Sequence, residues 1–112
     1  VGTMAGNAYL TYIRGSALRG LENATYGPKA AAHIGERSYY DSILTQRAIV
    51  KYGKIYKATH GVKGFEFRIS GSYIMGNGTW QAITSAGLSS SHNSGMWSLV
   101  YGKGVIWHFL IK

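Results

Sequence analysis

Phe65-Glu66-Phe67-Arg68-Ile69-Ser70 alternates strictly between apolar and polar residues. In an extended chain Phe65, Phe67 and Ile69 fall on one side, and Glu66, Arg68 and Ser70 fall on the other. A strand with one apolar side belongs to an antiparallel sheet that covers a core with one face and meets solvent with the other. Downstream, Asn77-Gly78 is a turn pair, and residues 79–84 read as a second strand. Residues 85–95 have the Ser- and Gly-rich composition of a loop. Residues 96–101 and 105–111 read as two more strands, joined at Gly102-Lys103-Gly104.

Upstream, residues 38–52 give the clearest helix. Ser38 is placed to cap it, with Asp41 three residues later as a short capping box. Tyr40, Ile43, Leu44 and Val50 fall near one face, and Gly53 suits the position just past the end. Residues 8–21 carry weaker helical spacings, Tyr9-Ile13-Ala17 and Leu10-Ala17-Leu18-Leu21. Gly15 and Gly20 each cost such a helix about 1 kcal/mol. Gly27-Pro28 reads as a turn. Helices followed by strands predict an α+β domain, with N-terminal helices packed on a roughly four-stranded antiparallel sheet. One domain spans residues 1–112: an N-terminal helical and loop segment over 1–37, and a helix-plus-sheet core over 38–112. Nothing in the order of elements suggests a parallel βαβ unit.

Composition narrows the function. The 112 residues hold 12 Lys and Arg against 4 Asp and Glu, for a net charge of +8. A surplus this large points to a polyanionic partner. The acids are Glu22, Glu36, Asp41 and Glu66, scattered in a way that disfavours the carboxylate clusters that hold hard cations and the paired acids of glycosidases, with Glu36 and Asp41 the one pair that could converge. With no Cys there is no disulfide framework and no thiolate site. The four histidines lack the i, i+4 spacing of a helical zinc site. No metal or other cofactor is expected. No apolar run approaches the roughly 18 residues of a spanning helix, and no signal peptide is evident. The chain begins at Val1, which reads as the terminal piece of a larger protein.

Arg47, Lys51, Lys54, Lys57, Lys63 and Arg68 crowd a stretch whose one acid is Glu66. Tyr52, Tyr56, Phe65 and Phe67 are interleaved with them. Cations hold phosphates and aromatic faces stack on unpaired bases, so this segment suits RNA; its plain structural reading is a solvated helix edge over core aromatics. Metal-free RNA cleavage needs groups that move protons near neutral pH and cations at the phosphate. Of the histidines, His33 precedes the main helix and His108 lies in the last strand, while His60 and His92 fall in loops. A satisfied structural role suits each of them as well. His108 faces Ser98 across the hairpin if three residues form the turn, and Trp97 if two do. Ser70, Thr79 and Ser98 are candidate hydroxyls beside Arg68. Trp80, Trp97 and Tyr101 offer another reading, an aromatic surface of a secreted module that binds glycan or cell wall. A cationic protein acting at membranes is a third, weakened by the lack of a long basic amphipathic helix.

Residues 38–112 resemble the C-terminal toxin domains of bacterial polymorphic and contact-dependent toxins. The resemblance lies in Ala48-Ile49-Val50-Lys51-Tyr52-Gly53-Lys54, in residues 61–73 around Phe65 to Ser70, in Gly76-Asn77-Gly78-Thr79-Trp80-Gln81, and in Val105-Ile106-Trp107-His108-Phe109. Many such domains are similar to the compact ribonucleases that include barnase, colicin D and the RelE-type toxins. The resemblance implies helices on a four-stranded antiparallel sheet and RNA cleavage, of tRNA among other candidates, through 2′-hydroxyl transesterification. It implies proton transfer by His33 or His108, and Arg68 on the phosphate with Ser70 and Thr79 as hydroxyl donors. Lys51, Lys54 and Lys63 would bind the RNA backbone, and the basic composition of the same stretch adds Arg47 and Lys57 to the expected RNA-binding residues. The resemblance further implies an acidic cognate immunity protein, and secretion or delivery into the cytoplasm of a target cell.

Overall fold

The computed structural model describes residues 2–36, 43–59, 61–76 and 95–111. Helix α1 (Gly2–Gly20) runs into a 3-10 turn (Leu21–Asn23) and a short strand β1 (Thr25–Tyr26). Helices α2 (Pro28–Glu36) and α3 (Ile43–Tyr52) follow, then β2 (Lys54–Lys57), β3 (Phe65–Ser70), a short helix α4 (Gly71–Gly76), β4 (Met96–Gly102) and β5 (Val105–Leu110). The class is α+β. The sheet corrects the expectation of four antiparallel strands: it has five strands in the order β1-β5-β4-β3-β2, and it is mixed. β2, β3, β4 and β5 pair antiparallel, whereas β1 lies parallel to β5, Thr25 beside Val105 and Tyr26 beside Ile106. Two residues are too few to show a period, which is why β1 left no pattern in the sequence. The fourth antiparallel strand described is β2; the strand expected over 79–84 lies outside the described residues.

The alternation of β3 decides the two faces. Phe67 and Ile69 are buried beside Leu99 and Trp97 of β4, and Phe109 of β5 extends the same layer. α3 covers this layer with Ala48, Ile49 and Val50. Leu44, expected on the apolar face of α3, is instead exposed, while Thr45 and Gln46 turn inward. Gln46 Nε2 donates to the Tyr26 hydroxyl at 2.9 Å, tying α3 to β1. Ser38, Tyr40 and Asp41 lie outside the described residues. At the other end of α3, Arg14 of α1 donates from Nη1 to the carbonyls of Val50 at 2.6 Å, Gly53 at 2.7 Å and Lys51 at 3.1 Å. A cation there satisfies carbonyls that the helix leaves open. Burial pushes the Arg14 pKa down from its ordinary value.

Gly27-Pro28, expected as a turn, opens α2. Pro suits the first helical position because its missing N–H has no partner to lose there, and Ala30-Ala31-Ala32 carries the helix on. α2 packs along β5 and β1, with Ala30 in the core.

The β4–β5 turn has Lys103 and Gly104, both at positive φ (52° and 76°), as a two-residue hairpin of the I′ kind requires. The pairing begins Gly102 with Val105 and Tyr101 with Ile106, then jumps to Val100 with His108. Trp107 is the extra residue of a β-bulge. His108 therefore faces Val100, not Ser98 or Trp97. Among the described residues no helix is long and apolar enough to cross a membrane.

Candidate functional site

On the sheet face opposite α3, the register draws two rows across the strands. Tyr56, Glu66, Val100 and His108 form one; Lys54, Arg68, Ser98 and Leu110 form the next. Adjacent strands lie about 4.8 Å apart, so Glu66 and His108 face each other across Val100 at about 10 Å between backbones. Above this row opens a cleft of about 640 Å³ lined by Pro28, Lys29, Thr59, Val62, Glu66, Arg68, Val100, Trp107 and His108. The bulge is what brings neighbouring residues of β5, Trp107 and His108, to one cleft. The Trp107 indole N–H donates to the Gly102 carbonyl at 3.2 Å, which fixes the ring at the cleft wall.

The charges are arranged around that row. Arg68 Nη2 donates to the Glu66 carboxylate at 2.9 Å, and its guanidinium lies 4.3 Å from the centre of the Tyr56 ring. The hydrogen bond and the charge of Glu66 raise the Arg68 pKa. Lys29 and His33 are four residues apart on α2 and so share a face. The rings of His33 and His108 meet edge to face with centres 5.7 Å apart. Burial lowers the His108 pKa, and the charges of His33 and Lys29 lower it further, while Glu66 acts in the opposite sense.

The residues named from sequence are partly gathered. Arg68 and His108 line the cleft, and His33 touches His108. Two aromatic rings in contact are neighbours, so His33 stands beside His108 rather than across a substrate from it. Ser70 lies on the same sheet face but is engaged with Ser72, Oγ to Oγ at 3.2 Å, and with the Tyr73 N–H at 3.3 Å. Thr79, Trp80, His60 and His92 lie outside the described residues. Lys54 stands in the row beside Arg68. Lys57 pairs with Phe65, on the other side of β2 from Tyr56. Lys51 approaches the Tyr52 ring at 5.3 Å. Lys63 lines a separate groove with Phe65 and Tyr101. Arg47 pairs with Glu22 at 3.0 Å among the helices and does not line the cleft. Trp97 is completely buried, so it presents no ring to a sugar.

Lys29 and Glu66 were missed as site residues. Glu66 had a signal, since it shares the polar side of β3 with Arg68. Lys29 had its signal in the first turn of a helix read as a turn. Among the described residues, no group of three or more His, Asp or Glu is placed to hold a metal ion. Comparison of the chain with protein-family models, with curated proteins and with solved structures finds no match in any of the three.

Proposed function

We propose that this chain is a ribonuclease domain that cleaves RNA by attack of a 2′-hydroxyl on the neighbouring phosphorus. The observation that carries the reading is the row Glu66–Val100–His108 at the floor of a cleft flanked by Arg68 and Lys29. A proton acceptor and a proton donor face each other with space for a phosphate between them, and two cations stand at its rim. In the reaction the 2′-oxygen bonds to phosphorus and the bond from phosphorus to the 5′-oxygen breaks. The Glu66 carboxylate takes the proton of the 2′-hydroxyl. His108 gives a proton to the departing 5′-oxygen. The products are a 2′,3′-cyclic phosphate and a free 5′-hydroxyl. Arg68 and Lys29 hold the non-bridging oxygens, where charge builds in the transition state.

His33 acts on His108 rather than on the substrate: its charge makes the His108 proton easier to release. No bound metal enters these steps. tRNA is among the candidate substrates. The excess of positive charge also suits an acidic immunity protein covering the cleft in a producing cell, with delivery to the target cytoplasm as part of a larger chain.

The test is incubation of the folded protein with total RNA, including tRNA, in EDTA. Discrete fragments ending in 2′,3′-cyclic phosphate are the expected result. RNA left intact across a range of protein concentration overturns the reading.

A further inference from the structure

Beyond one end of the β2–β3 pair lies an exposed apolar patch that the cleft does not use. Tyr52 ends α3, two residues before Lys54, and Tyr73 follows Ser70 in α4. Their rings meet with centres 5.8 Å apart, and they are 36% and 51% exposed. Met96, 51% exposed, pairs with Ser70 at the start of β4. Lys51 flanks Tyr52 with its ammonium 5.3 Å from the ring centre. Lys54, on the cleft side, is next to Arg68 in register.

Large exposed rings in contact, bordered by cations, are a stacking platform with its phosphate counter-charges in place. The platform and the cleft are joined along β3, where Glu66, Arg68 and Ser70 share one face. Four residues of strand span about 13 Å, so one nucleotide does not occupy both places.

We infer that Tyr52 and Tyr73 form a second nucleotide subsite, which stacks an unpaired base of the strand whose scissile phosphate lies in the cleft. Lys54 holds the backbone between the two places, while Arg68 stays on the scissile phosphate in the cleft. The occupant is single-stranded, because a base held in a duplex has no free face to offer a ring. This inference rests on the ribonuclease reading.

The experiment compares an eight-nucleotide RNA with a dinucleotide carrying the same scissile bond. Both are cleaved by the unaltered protein and by the double variant Tyr52→Ala, Tyr73→Ala, whose fold is checked by its thermal transition. One lost stack weakens binding by about tenfold. The expected result is a rise in KM for the octamer of at least that size, with kcat held and the dinucleotide cut as before. Unchanged octamer kinetics in the variant, or equal efficiency on both substrates in the unaltered protein, overturns the subsite and leaves the cleft standing. Loss of soluble-glycan binding with unchanged octamer kinetics makes the platform a sugar site and overturns it too. If the unaltered protein cuts neither RNA, the ribonuclease reading falls and takes the subsite with it.

Discussion

Burial, His33 and Lys29 all disfavour a charged His108. The folded protein therefore binds this proton less tightly than the unfolded chain does. The contribution of His108 to stability is fully present above the ordinary histidine pKa of 6.5 and is lost as pH falls from there through the lowered folded pKa. A phosphodiester in the cleft reverses the preference, because its negative charge favours the protonated ring. A deoxydinucleotide, which carries one phosphodiester and no 2′-hydroxyl, should thus raise Tm more at pH 5.5 than at pH 7.5. His108→Gln should flatten that difference, and a thermal shift series at the two pH values checks it. The same variant should lower cleavage about 10²–10⁴-fold with its fold intact, since His108 is half-buried on the open face of the sheet. Full activity in this variant removes His108 from the mechanism. Arg68 and His108 were legible in the sequence as residues, because strand alternation sets a polar side and a histidine there stands out. What faced His108 was not legible. One added residue, Trp107, shifts the whole pairing, and a bulge leaves no mark in an apolar run such as Val105-Ile106-Trp107.

Among the elements, β3 was read at its observed limits and α3 at its C-terminal end, because each shows its period over several turns or pleats, while the expected start of the helix at Ser38 lies outside the described residues. α2 and β1 were not so read. Gly27-Pro28 reads in the sequence as a turn, whereas Pro28 is the first residue of α2. β1 owes its place to the β5 backbone beside it: Thr25 N–H donates to the Gly104 carbonyl at 3.0 Å and Gly27 N–H to the Ile106 carbonyl at 2.9 Å. The clamp of Arg14 on the end of α3 is a tertiary contact between residues far apart in sequence, and no local signal announces it. Arg14→Met keeps much of the apolar stem and removes the donor. It should cost about 2 kcal/mol, read as a lower urea midpoint with unchanged slope. An unchanged midpoint would show that water serves those carbonyls equally well.

For the molecule as a whole, the net charge of +8 governs how it meets a polyanion. If about five phosphates are contacted, single-stranded RNA binding should weaken about 100-fold between 50 and 200 mM salt. Fluorescence anisotropy on a non-cleavable oligomer measures that slope, and a flat response would mean that stacking alone holds the strand. The charge and the α+β class were legible from composition and element order. The cleft was less so, because its walls come from α2, from the β2–β3 connection and from three strands that only the folded sheet brings together.

The parallel pairing of β1 with β5 joins residue 25 to residue 105. The β4–β5 hairpin is local, whereas β1 pairs across most of the chain, a closure that carries the larger entropy cost. α2 follows β1 directly, so Lys29 and His33 reach His108 only when that closure is made. Seven of the nine residues lining the cleft lie on β3, β4, β5 and the β2–β3 connection, and the other two, Pro28 and Lys29, come with α2. Without that long-range pairing His108 lacks the charges of His33 and Lys29 that tune it, and the cleft lacks its α2 wall.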